Sequence, residues 1–395
     1  MKPGVAARRE AATAIGRILR SGAFSNRLLE LSTLPPRDVD QLRFLTYTAL
    51  RHLKRIDEVI ERHSDKKMST LDGEVADVLR IATAELLFGR APAHAVVDTA
   101  VESIKAGKRG RAAGFVNGVL RSIVRRAGTE LDSDEPRMEY PDWLVEMLDG
   151  QWERDEVTGF LTDSLGDAGR QVRARPGTDV AGLTAVPGIR GAFDWTAPGE
   201  LPDGFVVQDA ASIAVGNAVP LQTGDLVLDM AAAPGGKAAH LLDRGARVFA
   251  ADRNQRRAIS GHRRWPEVAW TVADGVHPPF RSGSFDHVLL DAPCSGLGTM
   301  RRRPEVRFRT DPARIAEMAD RQRAMLARAL SLVAPGGTVT YSVCTVTAAE
   351  TVEVVAGLPA VPPVDTPGRQ WGNGLLLGPH STGTDGMFIS IVQRR

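Results

Sequence analysis

Residues 286–298 read Asp286-His287-Val288-Leu289-Leu290-Asp291-Ala292-Pro293-Cys294-Ser295-Gly296-Leu297-Gly298. The apolar run Val288-Leu289-Leu290 predicts a buried strand. It ends in Asp291, the chain turns through Ala292-Pro293, and Cys294 follows, with glycines at 296 and 298. In open α/β sheets, ligands bind at the carboxyl ends of strands. A carboxylate and a thiol at such an end are placed for chemistry. Gly337-Thr338-Val339-Thr340-Tyr341-Ser342-Val343-Cys344 repeats the pattern, an apolar strand ending in a thiol. These are the only two cysteines of the chain. A free cysteine is usually a small buried hydrophobe, but two in the same strand-end setting argue for a function. One pair in 395 residues is also a poor disulfide framework.

Working outward, residues 206–395 alternate strands and helices, the pattern of a parallel, doubly wound sheet. Leu226-Val227-Leu228-Asp229 is its first strand, running into Met230-Ala231-Ala232-Ala233-Pro234-Gly235-Gly236-Lys237 and then a helix through Ala238, Leu241 and Leu242. Small residues and glycines there let the backbone approach a ligand at a helix N-terminus. The next strand, Arg247 to Ala251, ends in Asp252, 23 residues after Asp229, the spacing of a ribose-binding acid. Asp274 follows the stretch Ala269–Ala273 and is placed to meet an adenine amino group. Four acids thus end four consecutive strands, which is poorly explained by capping. A phosphate-binding loop needs Ser or Thr after its Gly-Lys, and Ala238 stands there; the dinucleotide pattern Gly-x-Gly-x-x-Gly is absent. The ligand left, partly by elimination, is S-adenosylmethionine, which has ribose and adenine but no phosphate.

Residues 4–127 are predicted all-helical, with apolar positions at helical spacing: Ala12, Ile15, Ile18, Leu19; Leu42, Leu45, Ala49, Leu53; Val75, Val78, Leu79, Ala82, Leu86; Phe115, Val119, Leu120, Ile123. Breaks fall at Ser21-Gly22, Pro35-Pro36 and Ala91-Pro92, and Asp72 or Thr70 is placed to cap the helix that follows. Residues 128–140 are acidic and polar and read as a linker. Pro141 opens a further helix, and Arg170–Gly204 reads as a small α/β unit. The division expected is 1–130, 131–205 and 206–395.

The net charge of +2 hides a division: +8 over residues 1–130, −10 over 131–205 and +4 over 206–395. Basic outer parts suit a polyanionic partner, although a solvated basic face explains such charge about as well. Lys105, Lys108, Arg109 and Arg111 form a glycine-spaced basic loop able to track a phosphate backbone, continued by Arg121, Arg125 and Arg126. No run of about 18 apolar residues is present to span a membrane. The N-terminus lacks the apolar core of a signal peptide, and with two free thiols the compartment expected is the cytoplasm. No metal is called for, and a monomer is expected.

A thiol beside a methyl donor suggests addition–elimination on a pyrimidine. Thiolate attack at carbon 6 of cytosine makes carbon 5 enamine-like and able to take a methyl group, splitting one hard step into easier ones. Asp291 is placed to stabilise the adduct at the ring nitrogen. Arg301, Arg302, Arg303 and Arg307 follow the Cys294 loop and are candidates to lower a thiol pKa or to hold RNA phosphates. The target base must be unstacked to enter such a pocket.

These stretches together, Asp229 to Lys237, Asp291-Ala-Pro-Cys-Ser-Gly296 and Tyr341-Ser-Val-Cys344, resemble the RNA cytosine carbon-5 methyltransferases of the Sun/RsmB/NOP group. Val207–Ser212, Arg301–Phe308 and Thr384-Asp385-Gly386-Met387-Phe388 extend the resemblance. Arg37-Asp38 and Phe115–Arg121 resemble a NusB-like helical domain. The resemblance implies a Rossmann-like class I methyltransferase sheet preceded by that domain. It also implies Cys344 as the nucleophile, with Cys294 assisting product release. Ala231, Ala232, Ala233, Pro234, Gly235, Gly236, Lys237, Asp252, Asp274 and Asp291 would line the S-adenosylmethionine site, and 16S ribosomal RNA would be the substrate. Departures are Val343-Cys344-Thr345 for Thr-Cys-Ser, Ala348-Ala349-Glu350-Thr351 for Pro-Glu-Glu-Asn, and Ala231 where a third cysteine often stands. Two other readings are the same chemistry on transfer RNA and a catalytically inactive RNA-binding or assembly protein. The intact Asp291, Cys294 and Cys344 count against the second.

Overall fold

The structure, a computed structural model, describes residues 4–126, 135–197 and 199–394. It divides into two compact units: residues 1–146 with 302–309, and residues 147–301 with 310–395. The expected boundary at 130/131 and most of the proposed linker, residues 128–134, lie outside the described residues.

The first unit is helical: α1 (Val5–Ser21), α2 (Ser25–Glu30), α3 (Pro36–Arg51), α4 (Leu53–Arg62), α5 (Gly73–Phe88), α6 (Ala93–Ala106) and α7 (Ala113–Arg126). The anticipated breaks are real. Gly22 closes α1 in the left-handed region at φ 68°, where a side chain would be strained. Pro36 starts α3, and Asp72 caps α5 by accepting from the Glu74 backbone N–H at 3.0 Å. Ile15, Leu42, Leu45, Leu79, Val116, Leu120 and Ile123 are fully buried in one core, with Leu19, Leu86 and Phe115 packed at its margin. Arg8–Glu85 and Arg80–Asp57 are close ion pairs in this unit, at 2.5 and 2.7 Å.

Two segments join this core against expectation. The described end of the linker, residues 135–140, is not a solvated tether: Glu139 and Tyr140 are buried, and the Glu139 carboxylate pairs with Arg55 at 2.8 Å and His52 at 2.9 Å. Residues 302–309, which follow the Cys294 loop, also belong to this unit. Glu305 is fully buried and accepts from the Ser25 backbone N–H at 2.9 Å and from its hydroxyl at 3.1 Å. Arg307 lies over Tyr140 and Phe308 and donates to the Leu50 carbonyl at 2.9 Å and to the Arg51 carbonyl. Glu305→Ala leaves the buried Ser25 donors unpaired, which costs about 1–3 kcal/mol. The variant should unfold its helical unit at correspondingly lower denaturant, read by far-UV circular dichroism.

α8 (Asp142–Asp149) spans the division, with Pro141 just before it, and α9 (Arg154–Ser164) follows. A small antiparallel sheet comes next: β1 (Gln171–Ala174), β2 (Thr184–Ala185), β3 (Ala192–Asp194) and β4 (Phe205–Val207), in the order β2-β3-β1-β4. Buried Arg173 anchors it, donating to Asp243 at 2.7 Å and to Gln208 at 3.1 Å.

The remaining elements are α10 (Ala210–Ala218), β5 (Leu226–Asp229), α11 (Gly236–Asp243), β6 (Arg247–Asp252), α12 (Gln255–Arg264), β7 (Ala269–Val272), β8 (Phe285–Asp291), α13 (Pro312–Leu332), β9 (Val333–Val343), β10 (Ala360–Val361), β11 (Arg369–Trp371), β12 (Gly374–Leu377), α14 (Pro379–Thr382) and β13 (Met387–Gln393). One sheet runs β11-β12-β13-β9-β8-β5-β6-β7, with β10 also on β13. The pairs from β9 to β7 are parallel, and β13 is antiparallel to both β9 and β12. This is the doubly wound, Rossmann-like sheet anticipated. Strand order reverses between β5 and β8, so the ligand crevice falls at Asp229 and Asp291. Val227, Leu228, Val288, Leu289 and Leu290 are fully buried there, as strands covered on both faces require.

Candidate active site

The loop after β5 is shaped by its neighbours. Met230 and Ala232 donate backbone N–H groups to Leu289 and Ala251, each at 2.9 Å. Gly235 adopts φ 100° at the start of α11, and a Cβ there would meet Trp265 and Trp270 at 2.6 and 2.9 Å. Only glycine satisfies both conditions. Lys237, in the first turn of α11, reaches back to the end of β8, where its Nζ lies 2.7 Å from Asp291 Oδ2. Asp291 Oδ1 accepts from Ser342 Oγ of β9 at 3.0 Å.

Asp229 is buried, and neither carboxylate oxygen makes a hydrogen bond of good geometry. Burial pushes its pKa up to about 7; the Lys237 charge opposes this and the Asp291 charge adds to it. Burial by itself would lower the Lys237 pKa, but Asp291 more than compensates and the net shift is upward. Asp252, also buried, accepts from the Asn254 backbone N–H at 2.8 Å and has Arg257 at 3.5 Å. Asp274 is exposed, two residues beyond β7, with Arg321 at 3.8 Å. The crevice therefore gathers Asp229 and Asp291 around the Lys237 ammonium, with Asp252 close enough to add its charge at Asp229. That set suits a cationic ligand with ribose hydroxyls.

The two thiols meet. Cys294 Sγ and Cys344 Sγ are 3.4 Å apart, each half-buried. Their approach follows from the pairing of β8 with β9 in register, Asp291 opposite Ser342, and from stitching beyond the strands. Gly298 donates to the Cys344 carbonyl at 3.0 Å, and Gly386 donates to the Gly298 carbonyl at 2.8 Å. A Cβ on Gly298 would meet the Gly386 backbone at 2.0 Å, so this crossing requires glycine. The hydrogen bond to Cys344, then burial, then the charges of Cys344, Glu350 and Asp291 hold the Cys294 thiol well above its ordinary pKa. Cys294 therefore holds its proton.

Of the arginines named as candidates to lower a thiol pKa or to hold RNA phosphates, Arg307 and Arg301 are engaged by backbone carbonyls. Arg307 is only 1% exposed and is spent on backbone carbonyls of the helical unit, so it leaves the set of candidate RNA contacts as well. Arg301 donates to the carbonyls of Gly383 and Asp167 at 2.8 and 2.9 Å. Arg302 and Arg303 belong with the helical unit. Lys105 is exposed in the last turn of α6, and Lys108, Arg109 and Arg111 are exposed between α6 and α7, Arg109 pairing with Asp72 at 2.8 Å. Sequence reasoning singled out neither Ser342, which bonds Asp291, nor Glu350, which bonds the residue after each thiol. Among the described residues no cluster of His, Cys, Asp or Glu is placed to hold a metal ion, and no helix is long and apolar enough to cross a membrane.

Residues 217–393 match the family of 16S rRNA methyltransferases RsmB/F, and residues 5–125 match the NusB family. A putative methyltransferase of Mycobacterium tuberculosis is 34% identical, the match covering 98% of this chain and 96% of the relative. Ribosomal RNA small subunit methyltransferase B of Thermus thermophilus is 32% identical over 95% of this chain and 94% of its own. The crystal structure of PH0851 shares the fold with a TM-score of 0.80, at 22% identity and 98% coverage of both chains.

Proposed function

The chain belongs to the RsmB/F family of S-adenosylmethionine-dependent methyltransferases, with a NusB-family domain ahead of the catalytic sheet, and from that premise we propose that it methylates carbon 5 of a cytosine in small-subunit (16S) ribosomal RNA. One observation carries the chemistry: two thiols 3.4 Å apart at the ends of adjacent strands, beside the Lys237–Asp291 pair.

S-adenosylmethionine, when bound, supplies an electrophilic methyl group on a sulfonium. The orphaned, buried Asp229 fits a cationic cofactor. The residues assigned to hold it are Ala231, Ala232, Ala233, Pro234, Gly235, Gly236 and Lys237 of the loop, with Asp252, Asp274 and Asp291 at the strand ends. On the RNA side, the Cys344 thiol gives up its proton to solvent and its sulfur bonds to carbon 6 of the cytosine, and the displaced π electrons are accommodated as the ring nitrogen takes a proton from the Lys237–Asp291 pair. Carbon 5, now enamine-like, takes the methyl group. Loss of the carbon 5 proton to solvent re-forms the double bond as the carbon–sulfur bond breaks, and the ring nitrogen returns its proton to the Lys237–Asp291 pair. Cys294, held protonated, donates to the departing Cys344 sulfur.

On this reading residues 1–130 engage RNA, with Lys105, Lys108, Arg109 and Arg111 tracking phosphates. Residues 131–205 connect, and 206–395 catalyse. The test is incubation of the full chain with methyl-tritiated S-adenosylmethionine and unmodified small-subunit ribosomal RNA or transfer RNA, followed by nucleoside analysis. Label should appear as 5-methylcytidine from the ribosomal RNA alone. Label in transfer RNA alone would move the substrate, and label in another nucleoside would overturn the chemistry.

A further inference from the structure

Glu350 is a buried carboxylate that the proposed reaction does not use. It is 0% exposed and sits in a short helical turn at Ala348–Glu350, six residues beyond Cys344. Oε1 accepts from the Ser295 backbone N–H at 2.7 Å and from Gln322 Nε2 at 3.1 Å. Oε2 accepts from the hydroxyls of Ser295, Thr345 and Thr347 at 2.5, 3.1 and 3.0 Å. Ser295 follows Cys294 and Thr345 follows Cys344, and their hydroxyls are 2.7 Å apart. Gln322, from α13, also donates to the Pro293 carbonyl at 2.9 Å, on the other side of Cys294. Tyr341 of β9 closes the cluster, donating to the Glu350 carbonyl at 2.6 Å and to Gln322 Oε1 at 3.2 Å.

The carboxylate is thus held by five donors from four residues, none of them a cation. Burying a charge this way is costly, and a purely apolar plug would hold two loops together at less expense. What the charge adds is a fixed geometry for both thiol loops and a negative potential at Cys294. We propose that Glu350 is the positioning residue of the thiol pair: it clamps the residue after each cysteine and sets the sulfur–sulfur separation. Its charge also favours the protonated form of Cys294. This rests on the reading of Cys344 as nucleophile and Cys294 as its partner.

The test uses the full chain with Glu350→Gln, which keeps the shape and lets the three hydroxyls reorient, and with Thr345→Val, which breaks the clamp but leaves the charge. Thiolate absorbance near 240 nm is titrated without RNA or cofactor, and methyl transfer is measured separately. Glu350→Gln should lower kcat on the order of 10- to 100-fold, the cost of misplaced reacting groups, with KM for RNA and cofactor little changed. It should also move the thiol titration down by about one pH unit. Thr345→Val should lower kcat about tenfold, for the same geometric reason, without moving the titration. An unchanged titration in Glu350→Gln would overturn the proposal, as would unchanged kcat in both variants. If no cytosine is methylated at all, the functional reading fails while the titration still decides whether Glu350 governs the thiols. If Glu350→Gln does not fold, Thr345→Val decides by its kcat alone, and a wild-type value overturns the clamp.

Discussion

Cys344→Ala is expected to abolish methyl transfer, with a loss on the order of 10³-fold or more, because covalent activation of carbon 5 has no substitute in the site. Cys294→Ala is expected to do something different. It should still form the bond to carbon 6 but release it slowly, so that a protein–RNA adduct persists on a denaturing gel in the presence of S-adenosylmethionine. The asymmetry follows from the geometry. The thiols share one hydrogen bond at 3.4 Å, and Cys294 is the one whose proton is retained by that bond, by burial and by the Glu350 and Asp291 charges. A retained proton makes a poor nucleophile and a good donor to a leaving sulfur. Cys344, at the end of β9, packs against the cluster that includes Ala232 of the loop after β5 and Met387 of β13, which fixes it beside the crevice. An adduct in Cys344→Ala, with none in Cys294→Ala, would reverse the two roles. Adduct in neither would remove the covalent route.

The parts of this site that were legible in the sequence are those written in strand grammar. Leu226–Asp229, Arg247–Asp252 and Phe285–Asp291 each show an apolar run stopping at a carboxylate, and a parallel sheet converts that pattern directly into a ligand edge. The helical core was legible for the same reason, since Ile15, Leu45, Leu79 and Leu120 keep helical spacing and are all buried. What could not be read was buried charge. Glu350 lies among Thr345, Thr347, Ala348 and Ala349, a composition that suggests a solvated loop, and two of its partners, Ser295 and Gln322, are 55 and 28 residues away. Glu139 looked like part of an acidic tether until Arg55 and His52 were seen to enclose it. Arg307 looked like one more phosphate contact in a basic run, yet its guanidinium is consumed by helix-end carbonyls at Leu50 and Arg51. A charged residue is assigned to solvent by default, and only tertiary contacts reverse that assignment.

Asp229→Asn should make the cofactor-free protein more stable at neutral and alkaline pH, and make it bind S-adenosylmethionine more weakly. The folded-state pKa of about 7 lies above the ordinary carboxylate value of 3.8. Between those values the folded chain binds the proton more tightly than the unfolded chain does, so wild-type stability falls as pH rises through that window. Below it the Asp229 contribution vanishes, and above it the loss is complete. A displacement of that size corresponds to at most about 4 kcal/mol. The amide carries no charge, so the variant should lack this slope, match the wild type near pH 4, and exceed it by pH 8 in denaturant midpoint. A wild-type slope unchanged in the variant would show that Asp229 is not the group responsible. The function of such a costly anion is the remaining step. Lys237 makes its close contact with Asp291, at 2.7 Å, and acts on Asp229 only through its charge. A sulfonium-bearing cofactor brings positive charge into the crevice, and the energy spent holding Asp229 unpaired is recovered only then. Calorimetric titration of S-adenosylmethionine should therefore show weaker binding to Asp229→Asn, and its sulfur-neutral product S-adenosylhomocysteine should lose less affinity than the cofactor does. Equal losses for the two would place the role of Asp229 in shaping the loop, not in recognising charge.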